Sequence, residues 1–128
     1  MEKSKKILVI EDNQALVSTI QQALDDPRYQ LLVAGDGQEG YTKALQERPD
    51  AIVLDIMLPG ESGFSCLEQL KQTEATKFIP VLILSNLGQE HEIQQGMDLG
   101  AVDYMIKADF SIQEIAGRIK KLVDQARR

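Results

Sequence analysis

Polar side chains that could handle phosphate follow four short apolar runs of the sequence. The acids Glu11 and Asp12 follow the first run, Asp55 the third, Ser85 the fourth and Lys107 the fifth. Carboxylates that lie close together raise one another's pKa unless a cation stands between them. Mg²⁺ prefers oxygen ligands and commonly joins one or two carboxylates to phosphate oxygens. The set therefore predicts a magnesium-dependent phosphoryl-transfer site.

Asp55 is the candidate nucleophile of such a site, because carboxylates form acyl phosphates in other enzymes. The metal would bind one phosphoryl oxygen, Lys107 would place a positive charge at a second, and Ser85 would donate a hydrogen bond to a third. Each residue also has a plain structural alternative, such as a helix cap for Asp12 or Ser85 and a solvated strand end for Lys107. Four polar strand ends in one fold favour the shared site.

The elements that must position these residues alternate between two kinds of segment. Apolar runs without polar alternation suit buried parallel strands, and they occur at 7–10, 31–34, 51–54, 81–84 and 102–106. Between and after them lie longer segments with apolar residues at helical spacing. Five strands and five helices in strict alternation predict an α/β fold with a doubly wound parallel sheet. Such sheets bind ligands beyond the carboxyl ends of their strands.

Composition indicates one domain over residues 1–128 and excludes several classes of protein. The chain is 43% hydrophobic and 27% charged, which is ordinary for a globular protein. A net charge of −6 without a basic stripe argues against direct nucleic-acid binding. A single cysteine cannot form an internal disulfide, and no apolar stretch has the length of a signal-peptide core or a transmembrane helix. We therefore expect a cytoplasmic protein without a membrane span.

A second function class, a dinucleotide-binding fragment of an oxidoreductase, also has a motif in the sequence. Residues 35–40 read Gly-Asp-Gly-Gln-Glu-Gly, which matches the glycine fingerprint of that class and follows a predicted strand. Asp36 and Glu39 would however repel a pyrophosphate. The motif also leaves the acids after the first strand, Ser85 and Lys107 without a role, so we rank this alternative second.

Four segments of the chain resemble the receiver domains of bacterial response regulators. They are residues 7–13 (ILVIEDN), 55–60 (DIMLPG) with Gly63, 83–85 (ILS) and 100–107 (GAVDYMIK). The match keeps order and spacing across roughly the whole chain, so the set is specific although each motif alone is not. The resemblance implies a flavodoxin-like (βα)5 fold with strand order 2-1-3-4-5.

The resemblance also implies a metal site and a phosphoacceptor. Asp55 would accept the phosphoryl group and would bind Mg²⁺ directly, together with Asp12. Glu11 would act on the metal through water, and Met57 would contribute its backbone carbonyl.

The same resemblance implies partners and a mode of action. Ser85 and Lys107 would contact the phosphoryl group, and Tyr104 would be the switch residue that turns when Ser85 moves. The donor would be a histidine kinase or a phosphotransfer protein, and catalysis would be limited to self-phosphorylation and self-dephosphorylation. A third class, a receiver-like interaction module that is never phosphorylated, is disfavoured by the intact acids and Lys107.

The residue that follows Lys107 departs from the family pattern. Ala108 follows Lys107 where the family usually has proline. We expect the Lys107–Ala108 peptide to be cis, as the resemblance implies for the lysine–proline bond that it replaces.

The last helix resembles that of receivers in the winged-helix OmpR/PhoB subfamily, which dimerise through charged residues. Asp103, Glu114 and Arg118 occupy matching positions, although Glu114 and Arg118 could also be a simple i,i+4 pair on a solvated helix. Ile93 stands where a basic partner for Glu114 would be expected. We therefore expect at most a weak, phosphorylation-promoted homodimer through the fourth helix, fifth strand and fifth helix.

Overall fold

A computed structural model describes residues 4–125, in which five strands and five α-helices alternate along the chain. The strands are β1 (Lys5–Ile10), β2 (Tyr29–Ala34), β3 (Ala51–Leu54), β4 (Val81–Ser85) and β5 (Asp103–Ile106). The helices are α1 (Gln14–Ala23), α2 (Gly37–Glu47), α3 (Gly63–Gln72), α4 (Glu90–Asp98) and α5 (Ile112–Gln125), with a 3-10 turn at Lys107–Asp109 before α5. Within residues 4–125, no helix has both the length and the apolar character that crossing a membrane requires.

The five strands form one parallel sheet in the order β2-β1-β3-β4-β5. β1 lies at the centre of the reversal, with Ile10 opposite Ala34 of β2 on one side and opposite Leu54 of β3 on the other. The chain thus changes direction across the sheet at β1 and β3, which is where a doubly wound sheet opens a crevice beyond its strand ends. The predicted fold class and strand order are confirmed.

Apolar layers cover both faces of the sheet. Val9 of β1 belongs to a cluster with residues of α1 and α5, including Ile119, and its neighbour Leu8 belongs to a second cluster with residues of α2 and α3, including Leu67. Successive strand residues point to opposite faces, so a strand covered on both sides is apolar at every position. This burial explains why the strands appear in the sequence as unbroken apolar runs.

The N-terminus of α2 carries the glycine-rich segment that suggested a dinucleotide site, and carboxylates already occupy it. Asp36 caps the helix by accepting a hydrogen bond from the Glu39 backbone N–H at 2.8 Å. The Glu39 carboxylate in turn accepts the Gly35 N–H at 2.8 Å. A pyrophosphate at this helix end would meet two acids in place of free N–H donors, which argues against the second function class.

Candidate functional site

The carboxyl ends of the strands bring the predicted site residues to one edge of the sheet. Glu11 and Asp12 follow β1, Asp55 follows β3, Ser85 ends β4 and Lys107 follows β5. The sheet bonding continues one step beyond the strands, because the Glu11 N–H donates to Ala34 O at 2.9 Å and the Asp55 N–H donates to Ile10 O at 3.0 Å. The backbone of both acids is therefore held by the sheet itself.

Three carboxylates meet at the point where strand order reverses. Glu11, Asp12 and Asp55 each present an oxygen, and these oxygens lie within 4.8 Å of one another. Glu11 and Asp55 are only 4% exposed, whereas Asp12 faces solvent. Hard divalent cations prefer carboxylate oxygens as ligands, and Mg²⁺ keeps several waters when bound. Two buried acids and one exposed acid fit a magnesium ion that remains open to solvent on one side.

The Lys107 ammonium bridges two of these acids. Its Nζ lies 2.8 Å from Asp55 Oδ2 and 2.9 Å from Glu11 Oε1, and its side chain is 17% exposed. The contact with Asp55 is consistent with the predicted place of Lys107, but sequence reasoning missed the contact with Glu11. Three carboxylates and one ammonium leave two negative charges in excess, which is the charge that a divalent cation would balance.

Burial and hydrogen bonding act in opposite directions on the charged groups of the cluster. Burial raises the pKa of Glu11 above its ordinary value, and hydrogen bonds from Lys107 and the Asn13 backbone oppose that rise without cancelling it. Burial alone would lower the pKa of Lys107, but the hydrogen bonds to Asp55 and Glu11 outweigh it, so that pKa is raised. Lys107 therefore remains an ammonium ion at neutral pH.

Backbone N–H groups hold the second carboxylate oxygens of Asp55 and Glu11. The Met57 N–H donates to Asp55 Oδ1 at 3.0 Å, and the Asn13 N–H donates to Glu11 Oε2 at 2.9 Å. The sequence suggested Asn13 as a possible helix cap, and Asn13 does cap α1. It did not predict the two backbone N–H contacts, because every residue except proline has such a donor. The metal contact of the Met57 carbonyl stays a prediction. Its side chain is 56% exposed beside the site.

The loop after Asp55 is drawn tightly beneath the site by a glycine at the start of α3. The Gly63 N–H donates to Ile56 O at 2.8 Å. A Cβ at Gly63 would lie 2.6 Å from Ile56 Cα and would overlap the Asp55 carbonyl oxygen. Only glycine therefore lets α3 begin this close to Asp55, which explains the place of Gly63 in the motif.

Ser85 and Tyr104 are joined through the backbone of Leu87. Ser85 is fully buried at the end of β4, and its Oγ accepts the Leu87 N–H at 3.3 Å. The Tyr104 hydroxyl donates to Leu87 O at 2.5 Å. The predicted switch residue thus contacts the β4–α4 loop, and the loop contacts the predicted phosphoryl-binding hydroxyl.

The predicted cis peptide at Lys107–Ala108 is wrong, because residues 4–125 contain no cis peptide bond. Lys107 begins the 3-10 turn, and its ammonium reaches Asp55 from a trans peptide. A cis bond before a residue other than proline costs about 3–4 kcal/mol. Since Lys107 reaches its partners without that conformation, nothing at this site would offset the cost.

The charged residues of the predicted dimer face make contacts within the chain. The Arg118 guanidinium pairs with the Asp103 carboxylate and lies 5.7 Å from the centre of the Phe110 ring. Glu114 accepts the Ser111 N–H at 2.8 Å as half of a capping box. Glu114 and Arg118 therefore have separate partners, and among the described residues they do not form the i,i+4 pair considered from the sequence.

Comparison with known protein families gives a match over most of the chain. A family model for the response regulator receiver domain matches residues 7–120. The chain is 39% identical over 120 residues to the alkaline phosphatase synthesis transcriptional regulatory protein PhoP of Bacillus subtilis strain 168, a match that covers 94% of this chain and 49% of that protein. It is 39% identical over 118 residues to the DNA-binding dual master transcriptional regulator RpaA of Synechocystis, with 92% and 48% covered. The chain spans about half the length of these curated relatives.

Solved structures of similar fold include two response regulators. The receiver domain of the Francisella response regulator 1452 superposes with a TM-score of 0.85 at 30% identity, over 97% of this chain and 100% of that chain. The phosphorylated cyanobacterial phytochrome response regulator RcpA superposes with a TM-score of 0.85 at 28% identity, over 98% of each chain.

Proposed function

The chain belongs to the response regulator receiver family of two-component signalling, and we propose that it is a switch that accepts a phosphoryl group on Asp55. The observation that carries this proposal is the Lys107 ammonium at 2.8 Å from Asp55, inside a cluster with Glu11 and Asp12. One carboxylate oxygen of Asp55 would use a lone pair that accepts no hydrogen bond to attack the phosphorus of a phosphohistidine. The P–N bond would break, and the histidine nitrogen would leave with the bonding electron pair and take up a proton.

The contacts of Asp55 support this role because both of its oxygens are oriented before any donor arrives. Oδ1 accepts the Met57 N–H and Oδ2 accepts the Lys107 ammonium, so the carboxylate plane is fixed. Donors set in advance stabilise developing charge without reorganising during the reaction. In the proposed transfer, the Lys107 ammonium would exchange its contact with Asp55 for a contact with one negatively charged phosphoryl oxygen. The Ser85 hydroxyl would donate a hydrogen bond to another.

We assign the metal requirement to Mg²⁺. Asp12, Asp55 and the Met57 carbonyl would hold it directly, and Glu11 would hold it through water. Bound there, Mg²⁺ would supply charge neutralisation for the incoming phosphoryl group. The two excess negative charges of the cluster and its one solvent-facing acid support this assignment.

Asp12→Ala should abolish both Mg²⁺ binding and phosphorylation. Without Mg²⁺, the variant should be at least as stable as the wild type, because removing one acid relieves repulsion with Glu11 and Asp55. With Mg²⁺ at ten times its dissociation constant, the wild type should gain about 1.4 kcal/mol in free energy of unfolding and the variant nothing. Urea denaturation with and without Mg²⁺ measures both the free energy of unfolding of each protein and its increase on adding Mg²⁺.

Glu61→Ala is the matched control for Asp12→Ala, since it removes an exposed acid from the β3–α3 loop outside the three-carboxylate cluster. It should respond to Mg²⁺ as the wild type does. Equal stabilisation of the Asp12→Ala variant would make Asp12 a structural residue only.

We propose a partner phosphohistidine, on a histidine kinase or a phosphotransfer protein, as the donor. Catalysis would be confined to the chain's own phosphorylation and dephosphorylation, with residues 1–128 acting as one receiver domain. We place this exchange in the cytoplasm, which suits a chain whose cysteine is a buried free thiol. The two relatives named as transcriptional regulators are about twice as long as this chain. The net charge of −6 supports the proposal that residues 1–128 do not bind DNA directly.

Intact-mass spectrometry after incubation with Mg²⁺ and a small phosphodonor such as acetyl phosphate tests the proposed function. We expect one added phosphoryl group per chain, lost when Mg²⁺ is chelated. A chain that stays unmodified with small donors and with a panel of histidine kinases would instead be a receiver-like interaction module.

We further propose that phosphorylation changes the α4-β5-α5 face and promotes weak pairing there. Sedimentation should show a monomer without phosphate and a concentration-dependent shift towards dimer with a phosphoryl mimic at Asp55. The dimer should be weak, because Arg118 is already paired with Asp103 within the chain and Ile93 offers Glu114 no positive charge. A monomer in both states at high concentration would leave this face as a docking site for another protein.

A further inference from the structure

Helix α4 packs on the sheet through a glycine. Gly96 is the buried residue of α4, and a Cβ at this position would lie 2.6 Å from Ile83 Cδ1. The same Cβ would lie 3.1 Å and 3.3 Å from the Cδ2 and Cε2 atoms of Tyr104. The Tyr104 ring and the Ile83 side chain therefore occupy the space that any larger residue would need.

A second glycine of the same segment lies against the same strand. A Cβ at Gly88, in the β4–α4 loop, would lie 2.7 Å from Ile106 Cδ1. Tyr104 and Ile106 are two residues apart in β5, so their side chains point to the same face of the sheet. The segment from the β4–α4 loop into α4 thus packs closely on this face of β5 at two glycines. Gly88 lies against Ile106, and Gly96 lies against Tyr104.

The Tyr104 hydroxyl connects this packing to the candidate site through hydrogen bonds. The hydroxyl donates to Leu87 O at 2.5 Å, and the Leu87 N–H donates to Ser85 Oγ at 3.3 Å. Leu87 therefore connects Tyr104 with the Ser85 hydroxyl through its own backbone alone. A shift of the ring away from α4 would break the first bond and free the loop that supplies the second.

We propose that Gly96 is a positioning residue for the phosphoryl-transfer site, which sets the place of the Ser85 hydroxyl by giving the Tyr104 ring room against α4. The inference rests on the proposed function for the role of Ser85 itself. A glycine inside a helix lowers helix stability relative to alanine, and close approach of another group is the usual structural reason for one. Here the approaching groups are Tyr104 and Ile83.

Gly96→Ala tests the proposal, with Gly117→Ala as its matched control. Gly117 is exposed in α5, and a Cβ there would meet nothing within 4 Å. The control should raise the melting temperature by about 2 to 4 °C through helix propensity and leave the site unchanged. Gly96→Ala should not raise it, and it should shift the ring signals of Tyr104 and the amide signal of Leu87 in NMR spectra of the unphosphorylated protein. It should also slow phosphorylation by a small phosphodonor about three- to tenfold.

Tyr104→Phe separates positioning from simple packing, because it keeps the ring and removes the hydroxyl. It should reproduce the Leu87 amide shift, and the Gly96→Ala/Tyr104→Phe double variant should be phosphorylated no more slowly than the slower single variant. If Gly96→Ala does not fold, Ile83→Val in the same chain removes the atom closest to the new Cβ and restores room for the helix.

The NMR signals are read before any donor is added, so they test this inference separately from the proposed function. An unmodified wild-type chain would overturn the role of Asp55 while the Leu87 amide still reported on Gly96. Unchanged Tyr104 and Leu87 signals in Gly96→Ala, or rate effects that multiply in the double variant, would overturn the positioning role.

Discussion

Asp55→Asn should leave a folded protein that accepts no phosphoryl group. The amide has nearly the same shape as the carboxylate but has no anionic oxygen to attack phosphorus, so the loss should be complete rather than partial. Its carbonyl oxygen can still accept the Met57 N–H, and Lys107 keeps Glu11 as a partner. Intact-mass spectrometry with Mg²⁺ and a small phosphodonor gives the result directly.

Asp25→Asn is the control for this experiment, because Asp25 is an exposed acid that follows α1. It should be phosphorylated to the same extent as the wild type. Phosphorylation that persists in Asp55→Asn would move the acceptor to another residue, and peptide mapping of the modified chain would identify it.

Lys107→Ala should have the largest effect on stability and should also prevent phosphorylation. The substitution leaves Glu11 and Asp55, both 4% exposed, without the ammonium that now contacts them. Removing one partner of a buried ion pair costs about 3–5 kcal/mol, because the remaining charge stays buried without compensation. Urea denaturation at neutral pH should show a loss of this size. Lys121→Ala, an exposed lysine of α5, should change stability by less than about 0.5 kcal/mol.

The pH dependence of this loss has a definite sign. Burial already raises the pKa of Glu11, and without the opposing Lys107 that pKa should rise further. A carboxyl whose pKa is higher in the folded state gains stability as it is protonated, so the variant should become more stable as the pH falls from neutral towards the ordinary carboxyl range. A variant that loses further stability over this interval would contradict the buried-charge explanation.

The wild type should show the complementary behaviour in alkali. The pKa of Lys107 is raised in the folded state above its ordinary value of 10.5. Its contribution to stability is therefore complete below that ordinary value and is lost as the pH rises through the raised one. Lys107→Ala should lack this alkaline component.

The sequence predicted the sheet and the four polar strand ends because both depend on local residue types. A strand buried on both faces must be apolar throughout, as Leu8 and Val9 are, and a residue directly after a strand has its position set by the sheet. The bounds were less accurate at the start of the first two strands. β1 begins at Lys5 and β2 at Tyr29, each two residues before its apolar run, because the backbone pairing of the two strands includes the exposed Gln30.

The contacts that the sequence could not predict depend on distances across the sheet or on backbone atoms. The Lys107–Glu11 pair joins residues after β5 and β1, which are separated by β3 and β4 in the sheet. The bonds of Leu87 use its N–H and carbonyl, which every residue except proline possesses. The cis prediction at Lys107–Ala108 applied to alanine a conformation that is accessible before proline. The cis form costs much more free energy before alanine than before proline.

The backbone character of the Leu87 link has a consequence for how such a protein can change over evolutionary time. Both hydrogen bonds that join Ser85 to Tyr104 survive any side-chain replacement at position 87 except proline, which lacks the N–H. The Leu87 side chain is partly buried and packs against the apolar cluster that contains Ile83. Other apolar side chains at this position can therefore change the surface of the β4–α4 loop while the internal connection stays intact, so the loop surface and the link between Ser85 and Tyr104 can diverge independently at one residue.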